Sequence, residues 1–97
     1  MRYCAAVTSL VRNNTVLNRF ERDVGGGTAV AHYRLSPGVI TFTHTEVPPP
    51  LRERGIASRL VQGALEQARA QGLKVVPRCS FVRRYIATHP EFQDLLA

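Results

Sequence analysis

Ninety-seven residues with a 44% hydrophobic fraction make one globular domain of soluble composition, with room for a single modest core and no second lobe. The formal charge of +6 comes from 13 basic residues against 7 acidic ones, and it leans toward the C-terminal half: residues 1–50 hold 5 basic and 3 acidic side chains, residues 51–97 hold 8 and 4. Two cysteines, Cys4 and Cys79, exclude a disulfide framework, neither they nor the scattered histidines have metal-ligand spacing, and no stretch approaches a transmembrane span.

Residues 1–15 read as an N-terminal extension or a short first strand, and residues 16–97 as the single domain. Residues 1–20 contain three Arg and no acid, a faint transit-peptide pattern. The apolar run from Tyr3 to Val11 is interrupted by Thr8 and Ser9, and no small-residue cleavage site follows, so the default expectation is cytoplasmic. Asn13-Asn14 reads as a turn, and Val16 to Asp23, centred on Phe20, as an edge strand. Gly25-Gly26-Gly27 then breaks that strand as a hairpin turn. Thr28 to Leu35 alternates, with Ala29, Ala31, Tyr33 and Leu35 on one face and Thr28, Val30, His32 and Arg34 on the other. After the turn Ser36-Pro37-Gly38, Val39 to Val47 returns as a β-branched strand. Strict alternation puts Ile40, Phe42, His44 and Glu46 on one face and Val39, Thr41, Thr43, Thr45 and Val47 on the other.

Pro48-Pro49-Pro50 ends the strand, because three successive N–H donors are missing. From about Arg54 to Gln71, Ile56, Ala57, Leu60, Val61, Ala64, Leu65 and Ala68 form one apolar stripe at period 3.6, and Gly72 is the expected stop. Leu73 to Pro77 reads as a short buried strand, which makes Val39–Val47 and Leu73–Pro77 parallel neighbours across the helix. Ser80 is the expected cap of a second helix through Ala87, ended by His89-Pro90, with a last helical turn over Glu91 to Leu96.

The segment from His44 to Leu60 therefore runs from a strand end, through a stiff proline turn, into a basic loop and a helix. A helix N-terminus carries unpartnered N–H groups and a fractional positive charge, which suit a phosphate. Gly55 keeps a Cβ out of the approach, and Arg52, Arg54 and Arg59 add forked donors. The reading is a pyrophosphate cradle. An ordinary helix start with surface arginines is the other reading of the same residues. No Gly-x-x-x-x-Gly-Lys-Ser/Thr loop is present.

Arg52-x-x-Gly55-x-Ala57 resembles the acyl-CoA-binding motif of the GCN5-related N-acetyltransferase superfamily, with consensus Gln/Arg-x-x-Gly-x-Gly/Ala. His44-Thr45-Glu46-Val47-Pro48 before it and Pro77-Arg78-Cys79-Ser80-Phe81-Val82 after it are similar to a subfamily of small, stand-alone acetyltransferase-like domains. The resemblance covers roughly residues 17–96. It implies an α/β fold with a mixed sheet: antiparallel N-terminal strands, a central strand–long helix–strand unit whose parallel strands splay, and short C-terminal helices. It implies acetyl-CoA or another acyl-CoA as co-substrate, no metal, and binding by Val47, Arg52, Arg54, Gly55, Ile56, Ala57 and Ser58. The pantetheine arm would lie in the splay against the main chain of Glu46 and Val47.

Acyl transfer to an amine needs a neutral amine, a polarised thioester carbonyl and a proton for the departing thiolate. Glu46 is the candidate base, or else a strand-end carboxylate paired with an arginine. His44 shares its face and is either its proton relay or a satisfied sheet histidine. Cys79 is either a nucleophile for an acyl-enzyme step, its pKa lowered by Arg78, or a small buried residue at a helix start. Tyr85 matches by position the tyrosine that protonates the thiolate in the superfamily, or is a core aromatic. The N-terminal helices that usually wall the acceptor site have no counterpart, which leaves the amine, a small molecule or a protein, undefined. The reading that follows is an N-acetyltransferase-like protein that transfers an acetyl group to an amine. A CoA-binding module or partner subunit without turnover is the alternative, and a basic nucleic-acid-binding domain, resting on charge alone, the third; no membrane partner is implied.

Overall fold

The computed structural model describes residues 11–24, 27–49 and 55–97. Five strands form one sheet in the order β1-β2-β3-β4-β5: β1 (Arg12–Asn14), β2 (Arg19–Val24), β3 (Gly27–Ser36), β4 (Val39–Glu46) and β5 (Lys74–Pro77). The first four are antiparallel neighbours, and β5 lies parallel to β4. The crossover between them is α1 (Ile56–Ala70), and α2 (Ser80–Ala87) with a 3-10 segment (Pro90–Leu95) follows β5.

The core lies on one face of the sheet. Phe20, Ala29, Ala31, Tyr33, Ile40 and Phe42 meet the stripe Leu60, Val61, Ala64, Leu65 and Ala68 of α1 and Val82 and Ile86 of α2. Phe20 sits 5.2 Å from Tyr33 and 6.0 Å from Phe42, ring centre to ring centre. Gly72, at φ 72°, stops α1 with a Schellman pair: its N–H donates to Arg69 O at 3.0 Å, and that of Leu73 to Ala68 O at 3.0 Å.

Several expectations shift. Val16–Asp23 is not the edge: β2 begins at Arg19, and β1 pairs outside it with Asn13 opposite Phe20. Asn13 and Asn14 belong to that strand, and the turn follows at residues 15–18. Asn14 Oδ1 accepts the Leu17 N–H at 3.1 Å, and Asn18 adopts φ 54°. Val24 pairs with Gly27 across Gly25-Gly26, which lie outside the described residues. Cys79, not Ser80, is the N-cap of α2, because its N–H is pinned to Phe42 O at 2.9 Å in extended conformation. Leu35, assigned to the apolar face, is exposed beside the hairpin turn. Val30, assigned to the polar face, is buried in register between Glu21 and Glu46.

The largest correction concerns β4. His32 pairs with His44 but Tyr33 with Phe42, so Thr43 is an extra residue on β4. Its hydroxyl donates to the His32 carbonyl at 3.3 Å. A bulge of one residue reverses the alternation beyond it. Ile40, Phe42 and, past the bulge, Thr45 therefore share the core side, while His44 and Glu46 project from the opposite one. No helix among the described residues covers that opposite face.

Charged side chains cover it instead. Glu21, its side chain 6% exposed, accepts from Arg19 Nε at 2.6 Å, Arg12 Nη2 at 2.7 Å and Asn14 Nδ2 at 3.0 Å. The Arg19 bond, followed by that of Asn14, holds its pKa down at about 2. Because the folded value lies below the unfolded one, this stabilisation is complete above the ordinary glutamate range and is lost as pH falls from about 4.5 toward 2. Glu21→Gln is expected to cost about 1–3 kcal/mol at pH 7, since it leaves Arg19 without its anion and Arg12 with Asp23 alone. Urea denaturation at pH 7 and pH 3 checks this: the difference between parent and variant should shrink at the lower pH.

Candidate functional site

The parallel pair sets the geometry. Register between β4 and β5 runs from Val39↔Lys74 to Phe42↔Pro77 and ends there, while β4 continues to Glu46. At that point the N–H groups of Arg78 and Cys79 both donate to Phe42 O, at 3.0 and 2.9 Å, and the chain turns into α2. Beyond Phe42 the two strands part. A cleft of about 700 Å³ lies past the parting, lined by His44, Thr45, Glu46, Val47, Pro48, Pro49, Ala57 and Phe81. It has the size of a small-molecule site and lies beyond the C-terminal ends of parallel strands, where α/β proteins hold ligands.

The N-terminus of α1 closes one side. Gly55 is its N-cap at φ 69° and ψ 14°, a left-handed conformation that a side chain disfavours. Among the described residues no side chain caps this end, and no acidic residue stands in the first turn. The first intrahelical bond is donated by Arg59 N–H to Gly55 O at 3.2 Å, so the N–H groups of Ile56, Ala57 and Ser58 precede the ladder at the positive end of the dipole. Ile56 is buried and Ser58 is exposed. Arg52 and Arg54 lie outside the described residues.

His44 and Glu46 are brought together on the helix-free face. Their side chains are 62% and 60% exposed, and His44 Nε2 lies 3.3 Å from Glu46 Oε2. The register adds His32, which the sequence reading missed: its Nε2 is 3.9 Å from Glu46 Oε1, and its ring stacks on His44 with centres 6.1 Å apart. The hairpin register was the signal available, since His32 directly opposes His44. The carboxylate thus stands between two imidazoles that can take or return a proton.

Cys79 and Tyr85 lie elsewhere. Cys79 is 8% exposed and lines neither this cleft nor its neighbour; its sulfur is 3.3 Å from Thr45 Oγ1 on the core side. Arg78 instead lines a cavity with Arg34 and Thr41, away from that sulfur. Tyr85 is buried, its ring stacked on His89 at 3.8 Å and 10°, and His89 Nδ1 lies 2.7 Å from Tyr85 O. Burial, and secondarily the charges of Glu91 and Glu66, push its phenol pKa up. Tyr85 lines a smaller cavity of about 180 Å³ with Ser58, Phe81, Arg84, Thr88 and His89. Phe81 borders both spaces, so they adjoin across its ring.

A mixed sheet whose parallel pair parts over a cleft, with an uncapped helix end beside it, has the architecture of an acetyltransferase fold. Residues 19–95 match the family described as GCN5-related N-acetyl-transferase, and the chain belongs to that family. A GCN5-like candidate N-acetyltransferase from Staphylococcus aureus, solved by NMR, has the same fold: TM-score 0.69 at 26% identity, over 90% of this chain and 86% of that one. Protein NATD1 from Gallus gallus and from Homo sapiens is 35% identical over 52 residues, which is 54% of this chain and 47% and 46% of those proteins. The match spans about half the length of these curated relatives. Among the described residues no helix is long and apolar enough to cross a membrane, and no group of three or more His, Cys, Asp or Glu could hold a metal ion.

Proposed function

We propose that the domain binds acetyl-CoA, or another acyl-CoA, across the cleft at the end of β4 and transfers the acyl group to an amine. One observation carries the reading: β4 outruns β5 by four residues, from Phe42 to Glu46, beside a helix N-terminus that no side chain among the described residues caps. That end fits a pyrophosphate, which the N–H groups of Ile56, Ala57 and Ser58 would receive with Arg52 and Arg54. The main chain of Glu46 and Val47 would hold the pantetheine arm. When bound, the thioester supplies an activated acyl carbon.

The side chains then have separable tasks. Glu46 takes the proton that the amine sheds as its nitrogen bonds to the acyl carbon, and His44 beside it passes that proton to solvent. The C–S bond breaks, and the sulfur receives a proton from the Tyr85 phenol, which is protonated at neutral pH as phenols ordinarily are and regains its proton from solvent. The position of Cys79 outside both cavities favours direct transfer over an acyl-enzyme on its sulfur. Acceptor-dependent thiol release from acetyl-CoA, with a panel of primary amines, tests the reading. Glu46→Gln is expected to lower kcat by about 10²–10⁴-fold, with acetyl-CoA affinity changed less than about twofold. Tyr85→Phe is expected to lower kcat about tenfold or more. Binding of acetyl-CoA without release for any amine would instead support a CoA-binding module.

A further inference from the structure

A second polar cavity, of about 310 Å³, opens at the other end of the helix-free face and is lined by Arg34, Leu35, Ser36, Thr41 and Arg78. Arg34 and Thr41 are direct cross-strand partners, and Thr41 in turn opposes Val76, two residues before Arg78. The backbone N–H of Arg78 is tied to Phe42 O at 3.0 Å, and Arg83 Nη2 donates to Arg78 O at 3.2 Å, so the segment carrying Arg78 is fixed. Elsewhere Arg12, Arg19 and Arg69 each hold a carboxylate. The side chains of Arg34 and Arg78 hold none among the described residues, and no carboxylate lines their cavity.

Two forked guanidinium donors and the hydroxyls of Ser36 and Thr41 converge on one space that holds no carboxylate among the described residues. That donor set matches the oxygens of a carboxylate or a phosphate. We propose that this cavity is an oxyanion site for the acylated molecule, so that the acceptor carries an acidic group as well as its amine. Glu46 and His44 lie on the same face, three to five residues beyond Thr41 on β4, which sets amine and anion about 10–16 Å apart at ~3.3 Å per residue. An acidic peptide or an extended amino acid conjugate meets that spacing. The acceptor assignment rests on the proposed acyl transfer; anion binding itself does not.

The test is NMR of the arginine Nε–H groups of the full chain, titrated at constant ionic strength with inorganic phosphate and, separately, with glutarate. The Arg34 and Arg78 signals should shift together and saturate for at least one of the two, and the tighter ligand identifies phosphate or carboxylate chemistry. Arg22, on the opposite face, should only drift. The exposed pair Arg34→Gln/Arg78→Gln should weaken that binding about tenfold or more while keeping a folded spectrum. No saturation at Arg34 and Arg78, or an equal response at Arg22, overturns the site. Acetyl-CoA is read in parallel at the Ile56–Ser58 amides. If these stay still while phosphate or glutarate saturates, the acyl-transfer reading fails and the acceptor assignment with it, leaving an oxyanion site of another purpose.

Discussion

Gly55→Asp is expected to weaken acetyl-CoA binding about 30-fold or more, roughly 2 kcal/mol, while changing stability by less than about 1 kcal/mol. Two opposing effects keep the fold intact. The substitution puts a side chain where φ is 69°, which costs about 1 kcal/mol for an aspartate, whose short polar chain tolerates this region, but its carboxylate recovers a few tenths of a kcal/mol over glycine by accepting the first-turn N–H groups. That same recovery removes the site, because the carboxylate then occupies the donors proposed for the pyrophosphate and repels it as a like charge. Gly55→Ala separates the effects. A Cβ there meets no atom within 4 Å, so the alanine adds backbone strain without charge or clash. It should lower stability by about 1–2 kcal/mol yet lose less affinity than the aspartate. Calorimetric titration and thermal melts of the three proteins check this; equal affinity in all three would remove the helix end from the site.

Phe42→Ala should be among the most damaging core substitutions, costing about 3–5 kcal/mol. The ring is 1% exposed and packs against Phe20 and Tyr33, so its removal opens a cavity at the centre of the sheet. Its carbonyl also receives both N–H groups that mark the parting of β4 and β5, so a disturbed Phe42 backbone disturbs the cleft. Against the 5–15 kcal/mol typical of a whole domain this is a large fraction, and a fall in Tm of about 15 °C or more is expected. Phe42→Leu, which keeps most of the volume, should cost clearly less. Urea titrations of both variants provide the comparison.

The parts legible in the sequence were those written in a local code. The α1 stripe survives because helical periodicity records which side is buried, and Gly72 marks its end because the left-handed stop is chemically distinctive. The β3–β4 hairpin followed from alternation around Pro37-Gly38. The bulge at Thr43 was not legible: a threonine in a β-branched strand looks the same paired or extra, and only the partner strand decides. Strict alternation therefore grouped His44 and Glu46 with Ile40 and Phe42, although the two pairs project to opposite faces. Their mutual proximity was still visible, since both lie beyond the bulge. His32 was missed because its place depends on cross-strand register rather than on any motif. Asn13 and Asn14 carry turn chemistry yet belong to a strand, for Asn14 starts the turn through its side chain. The proposed phosphate-binding arginines 52 and 54 remain readable only from the motif, as they lie outside the described residues.

The most direct test of the account is an NMR-monitored titration of the intact chain with acetyl-CoA. Saturable shifts are predicted at the backbone amides of Ile56, Ala57, Ser58, Glu46 and Val47, with Tyr85 responding across Phe81 and the Arg12–Glu21–Arg19 network unmoved. No shift at these amides at millimolar acetyl-CoA would contradict the central claim, whatever the fold.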